Sequence, residues 1–148
     1  MKKQFLLMSA LVCALTLTFT ACDNNDDDIR FSDVPASVQS SFQNLYAETS
    51  VKWEVENGLY KAELWVKGKE VDVYFKPDGT WVRTDSDFSP MGLPTAVVSY
   101  VETNYPDYRI DDADYVETPT GNYYEIELEK NGTRDVYLKI TEEGALAE

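Results

Sequence analysis

Residues 70–81, EVDVYFKPDGTW, and residues 134–146, RDVYLKITEEGAL, share the tripeptide Asp-Val-Tyr, at Asp72–Tyr74 and again at Asp135–Tyr137, 63 positions later. In both stretches apolar residues alternate with polar ones and a turn glycine follows, Gly79 in the first and Gly144 in the second, the pattern of a half-buried strand running into a tight turn. The recurrence extends upstream. Tyr60-Lys-Ala-Glu-Leu64 alternates as Tyr124-Glu-Ile-Glu-Leu128 does, 64 positions on. Val34-Pro35, followed by Val38, Phe42, Leu45 and Tyr46, is matched 59 positions on by Leu93-Pro94, followed by Val97, Val98, Val101 and Tyr105. These spacings draw one apolar stripe along a helix, and proline suits its opening turn. The offset widens by about five between helix and first long strand, within DDADYVETPTGN (111–122), where Pro119 and Gly121 mark a longer hairpin loop.

The chain therefore reads as α+β, a tandem repeat of a helix packed on a four-stranded antiparallel sheet, with one unit over 33–87 and the other over 88–148. Strands are expected at 51–56, 59–66, 69–76 and 80–84, then at 113–117, 122–130, 133–140 and a short end piece. Asn57-Gly58, Lys67-Gly68 and Asn131-Gly132 are two-residue hairpin signals. A unit of ~55 residues buries little apolar surface alone, so the two are expected to share one core.

The amino terminus has a different character. Lys2 and Lys3 precede an apolar run from Phe5 to Phe19, too short for a helix to span ~30 Å of hydrocarbon, and residues 1–21 read as an export signal. Phe19-Thr20-Ala21-Cys22 resembles a bacterial lipobox with Phe19 where leucine is usual. That makes Cys22 the lipidated first residue of an exported protein anchored in the outer membrane, on its periplasmic or its surface side. The competing reading, a plain secretory peptide, leaves Cys22 a free thiol, which suits an oxidising compartment poorly. Residues 22–32 read as a disordered acidic tether, similar to the acidic signal behind the lipidated cysteine of surface-exposed Bacteroidetes lipoproteins. Asp23, Asn25 and Asp27 alternate as in a calcium loop, but Asp28 and Val34 stand where an EF-hand needs glycine and glutamate.

Removal of residues 1–21 takes Cys13 away, lipidation occupies Cys22, and the sequence has no histidine. Ser-His-Asp, Cys-His and zinc-His sites are excluded, and no cofactor is expected. The signal holds two of the 13 basic residues and none of the 27 acidic ones, so the remainder carries a net charge of −16, a field that repels nucleic acid and anionic headgroups. Paired carboxylates for glycoside hydrolysis need a cleft, whereas the acidic residues outside turns fall at solvent-facing strand positions. Asp111–Asp114 places Asp112 and Asp114 on one side of an extended segment, but without a wider set of oxygen ligands it reads as a solvated turn, not a calcium site.

The Val/Leu-Pro helix openings, Asn104-Tyr-Pro106, Gly121-Asn-Tyr-Tyr-Glu125 and the twice-used Asp-Val-Tyr-x-Lys with its turn glycine resemble the PepSY-like, β-lactamase-inhibitor-like lipoproteins of gut Bacteroidetes. The likeness covers nearly the whole mature chain, in two copies. It implies tandem helix-plus-four-strand units related to the β-lactamase inhibitor protein fold. It implies no particular ligand, and since no inhibitory loop is matched, inhibition of β-lactamase is not carried over.

Strand alternation divides the side chains between two faces. With Val71, Val73 and Phe75 toward the helix, Asp72 and Tyr74 point away; with Tyr60, Ala62, Leu64 and Val66 inward, Lys61, Glu63 and Trp65 point away; and Glu125, Glu127, Asp135 and Tyr137 do the same in the second unit. The helix-free face is thus expected to display Trp65, Tyr74 and Tyr137 beside Asp72 and Asp135. Exposed aromatic anchors of this kind suit a noncatalytic binding or inhibitory module with a protein or peptide partner in the cell envelope. Three readings compete: rings that pack on one another across strands, a self-associating structural envelope protein that uses the face as a homodimer contact, and a carboxylate-dependent hydrolase, which needs a closed cleft.

Overall fold

The structure is a computed structural model that describes residues 27–47 and 50–147. The export signal, Cys22 and the tether as far as residue 26 lie outside the described residues. The elements run β1 (Asp27–Ile29), α1 (Ala36–Leu45), β2 (Lys52–Glu56), β3 (Leu59–Val66), β4 (Lys69–Phe75), β5 (Trp81–Asp87), α2 (Thr95–Asn104), β6 (Arg109–Thr118), β7 (Gly121–Glu129) and β8 (Val136–Ile140). Short 3-10 turns, Phe31–Asp33 and Pro90–Gly92, lead into the helices.

Local chemistry explains these elements. Pro35 and Pro94 stand immediately before α1 and α2 with extended ψ angles of 141° and 143°, so each fixes φ just where the chain turns into the helix. Each helix then buries two residues four apart, Val38 and Phe42 in α1, Val97 and Val101 in α2. Asn57 and Gly58 both take positive φ, 51° and 80°, as do Lys67 and Gly68, at 53° and 81°, the two-residue turn whose twist suits a hairpin.

The recurrent turn glycines have a specific task. A Cβ on Gly79 would lie 2.7 Å from the Ser37 carbonyl oxygen, and one on Gly144 2.8 Å from that of Ala96. In each unit the turn therefore packs against the first turn of that unit's own helix; in the first, the Ser37 hydroxyl also donates to the Pro77 carbonyl at 2.9 Å.

The eight strands form one antiparallel sheet in the order β1-β2-β3-β4-β5-β6-β7-β8. This corrects the expectation of two four-stranded sheets: β5 pairs with β6 from Thr84 opposite Glu117 to Asp87 opposite Asp114, and the units fuse edge to edge. The single shared core is corrected too. The first unit gathers Val34, Val38 and Phe42 onto Trp53, Ala62, Leu64, Val71, Val73 and Phe75. The second gathers Leu93, Val97 and Val101 onto Ala113, Tyr124, Ile126, Leu128, Leu138 and Ile140. On the helix side of the seam stand Thr84 opposite Glu117 and Ser86 opposite Tyr115, a row too polar to merge the clusters. Register carries Val71 through Ser86 and Tyr115 to Tyr124 along one face, so both helices cover the same side and leave the other open.

Several boundaries also differ: β5 runs on to Asp87 where a strand was expected to end at 84, and β8 begins at Val136 instead of 133. The stretch expected to be tether through residue 32 yields β1, because Ile29 pairs opposite Trp53 on the core side while Asp28 lies opposite Glu54. Strand β6 starts at Arg109 instead of 113, through an irregularity between Ile110 and Asp112, so Asp111–Asp114 is strand, not turn. The short end piece expected after β8 is one bridge, Ile140 with Leu146, backed by the Ala147 amide donating to the Lys139 carbonyl at 2.9 Å.

Candidate docking face

Three rows of side chains cross the open face. One runs Glu54–Lys61–Tyr74–Arg83, the next Lys52–Glu63–Asp72–Asp85–Val116–Tyr123, and a third has Trp65 opposite Glu70 and, further on, Asp87–Asp114–Glu125–Lys139. Their environments differ sharply.

In the first row Glu54 has a side chain only 4% exposed, held between Lys52 and Lys61, the latter at 2.6 Å. Hydrogen bonds from Lys52 and then Lys61 hold its carboxyl down to about 2. This corrects the expectation that acidic strand residues all face solvent: two lysines, one on the same strand and one directly opposite, fold over it. Tyr74 is corrected as well. It lies on the predicted face, but its ring is 6% exposed because it sits between Lys61 and Arg83 in the row, with the Arg83 guanidinium 4.3 Å from the ring centre. Burial pushes its phenol up to about 12.

Across the seam between the units the face opens into a cleft of about 310 Å³, lined by Glu70, Asp72, Asp85, Asp87, Asp112, Asp114 and Glu125, with Arg83 the one cation among its lining residues. Arg83 approaches Asp85 at 3.0 Å, and Lys61 reaches Asp72 at 3.7 Å. The Oδ1 atoms of Asp72 and Asp85 are nonetheless buried without a hydrogen-bond partner. Burial first, then neighbouring carboxylates, raise Asp72, Asp85 and Asp114 each to about 6, although Lys61 and Arg83 pull the first two back. Glu63, Glu70 and Asp72 bring one oxygen each within 4.8 Å of one another, short of the six to eight oxygens calcium takes. Asp112 turns an oxygen to the Ala113 amide and Asp111 pairs with Arg109, so of the acidic run of β6 Asp112 and Asp114 line the cleft and Asp111 does not.

Trp65 and Tyr137 are each 63% exposed, at opposite sides of this face. Tyr137 donates its hydroxyl to Glu127 at 2.9 Å, and Asp135 stands exposed just ahead of β8. The competing reading, rings stacked on one another across the face, is not met: among the described residues the close ring pairs, such as Phe42 with Trp53 and Tyr115 with Tyr124, include none of Trp65, Tyr74 and Tyr137. Sequence reasoning missed Arg83, Asp85 and Asp87, which alternate along β5 and form the floor of the cleft; that alternation was the available signal.

The family model described as "Putative beta-lactamase-inhibitor-like, PepSY-like" matches residues 58–148, from the first hairpin turn to the end of the chain. No curated protein matches the chain. Among solved structures, a DUF2874 family protein from Bacteroides ovatus is 27% identical with a TM-score of 0.70, over 77% of this chain and 84% of that one. A BLIP-like protein from Bacteroides fragilis is 26% identical with a TM-score of 0.66, over 77% and 84%. A "putative periplasmic" protein from Bacteroides eggerthii shares the fold at 22% identity and a TM-score of 0.70, over 78% and 86%. The overall fold is thus shared with these structures, and the chain belongs to the PepSY-like, β-lactamase-inhibitor-like family.

Proposed function

We propose that the protein is a noncatalytic binding module of the cell envelope that engages a protein or peptide through its open sheet face. The observation that carries this reading is the pair Trp65 and Tyr137, each 63% exposed on the helix-free side with the acidic cleft between them. Large rings left in water are the groups that lose most solvent when a partner docks. The BLIP-like name of the Bacteroides fragilis neighbour is in keeping with protein binding. Export with a lipid on Cys22 supplies the location, in keeping with the periplasmic label of the Bacteroides eggerthii protein.

The test is capture from envelope extracts with the wild-type protein and with the Trp65→Ala/Tyr137→Ala variant as bait. A band retained by the first and lost by the second is the expected result; equal retention places the contact elsewhere. A stable dimer in light scattering that protects Trp65 from solvent quenchers assigns the face to self-association instead. For the anchor, Cys22→Ala is expected to abolish palmitate labelling, and unchanged labelling refutes it.

A further inference from the structure

The open face arranges its recognition groups in a definite order. Trp65 is opposite Glu70 at the β3–β4 end, Asp87–Asp114–Glu125 cross the middle, and Tyr137 lies opposite Glu127 at β8. Five interstrand steps of ~4.8 Å separate β3 from β8, about 24 Å in all, which an extended segment of about seven residues spans. Between the rings the cleft holds seven carboxylates and a single guanidinium.

The cations around it are already engaged. Arg83 lies between Asp85 and the Tyr74 ring, Lys61 between Glu54 and Asp72, and Lys139 between Glu125 at 4.0 Å and the Tyr123 ring at 5.2 Å. Two buried carboxylate oxygens, on Asp72 and Asp85, are left without a donor. A neutral or acidic partner closing over this cleft would bury carboxylates without counter-charge, at severe cost. A basic one supplies the counter-charge, and an arginine fork meets two carboxylates at once.

Resting on the binding role proposed above, we propose that the partner is a protein segment with two or three arginine or lysine residues at its centre and an apolar side chain at each end, lying across the strands with its cations in the seam cleft and its ends on Trp65 and Tyr137. Charge complementarity selects the centre of the segment, and the separation of the two rings sets its length.

The test uses labelled, acetylated peptides of about seven residues in fluorescence anisotropy with the purified protein: Leu-Gly-Arg-Arg-Arg-Gly-Leu, the permuted Arg-Gly-Leu-Arg-Leu-Gly-Arg, and a version of the first with glutamine for arginine. The first is expected to bind roughly tenfold tighter than either other, and to weaken by roughly tenfold between about 50 and about 300 mM NaCl. Asp114→Asn and Trp65→Ala are each expected to weaken it by about fivefold or more. Asp114→Asn removes repulsion and Trp65→Ala removes an exposed ring, so thermal melts are expected to show both variants folded. Equal binding of the permuted peptide overturns the proposal, because the protein's net negative charge alone would then account for association. Equal binding of the glutamine peptide overturns the cationic partner. If that occurs while the Trp65→Ala/Tyr137→Ala bait still loses its captured band, the docking face stands and only the partner's chemistry falls. An unaffected bait would overturn the docking face itself.

Discussion

The guanidinium of Arg83 lies 4.3 Å from the centre of the Tyr74 ring, and the Tyr74 hydroxyl meets Glu56 only at a long 3.4 Å. The ring thus works as a buried platform whose area matters more than its hydroxyl. Tyr74→Ala is expected to cost about 3 kcal/mol and Tyr74→Phe less than about 1. Trp65→Ala, at a 63% exposed site, is expected to stay within about 1 kcal/mol. Urea denaturation of the three variants checks the ranking; a Tyr74→Ala protein as stable as Trp65→Ala refutes it.

Gly79 and Gly58 have similar backbones, φ 86° and 80°, but only Gly79 abuts a helix; a Cβ on Gly58 meets nothing within 4 Å. Gly58→Ala is expected to cost about 1 kcal/mol, the left-handed strain alone. Gly79→Ala adds a collision with Ser37 that only movement of α1 can relieve, and is expected to cost at least about twice as much. Gly144→Ala is expected to follow Gly79→Ala. Melting temperatures of the three variants decide the point.

Val73 and Val136 occupy matching places in the repeated tripeptide, yet Val73 is wholly buried and Val136 only partly so, at the start of the last strand. Val73→Ala is expected to cost about 2 kcal/mol and Val136→Ala about 1 or less. Equal losses in chemical denaturation would contradict the packing.

The pH profile follows from two opposing slopes. Asp72, Asp85 and Asp114 are raised from 3.8 to about 6, so the folded protein binds more protons than the unfolded chain between about pH 4 and about pH 6, and stability falls as pH rises through that window. Glu54 is lowered from 4.5 to about 2; its stabilisation is present above about pH 4.5 and is lost as pH falls toward 2. Stability is therefore expected to peak near pH 4 to 5. Melting temperatures across pH 3 to 8 test this, with Asp114→Asn flattening the descent above the peak; a steady rise from pH 4 to pH 7 overturns it.

Much of the fold was legible because its signals are local. The spacing from Val38 to Phe42, the Pro35 and Pro94 openings and the Asn57-Gly58 and Lys67-Gly68 turns each carry a short-range rule, and the structure obeys them. The pairing of β5 with β6 was not legible, since it joins two units across a helix and rests on polar residues such as Thr84 and Glu117 that no periodicity marks. Strand β1 was hidden because aspartate is depleted in strands, and its place depends on Ile29 finding Trp53. Alternation correctly assigned Trp65, Tyr74 and Tyr137 to the open face, but parity alone does not give depth. Tyr74 disappears under Arg83 and Glu54 under Lys52 and Lys61 because long cationic side chains, most of them from adjacent strands, lie across them, a packing relation that one sequence read residue by residue does not display.

The strictly sequential order of the strands also bears on how the molecule is made. Every strand after the first finds its partner in chain that precedes it, so a polypeptide delivered from its amino end never has to hold a strand open for a segment still to come. Loop closure is short at each step except where a helix intervenes, which keeps the entropic barrier low and folding fast for a β-rich protein. The growing sheet keeps the β1 edge and presents one new edge at each step, and the last, at β8, is partly closed when Leu146 and Ala147 fold back onto Ile140 and Lys139.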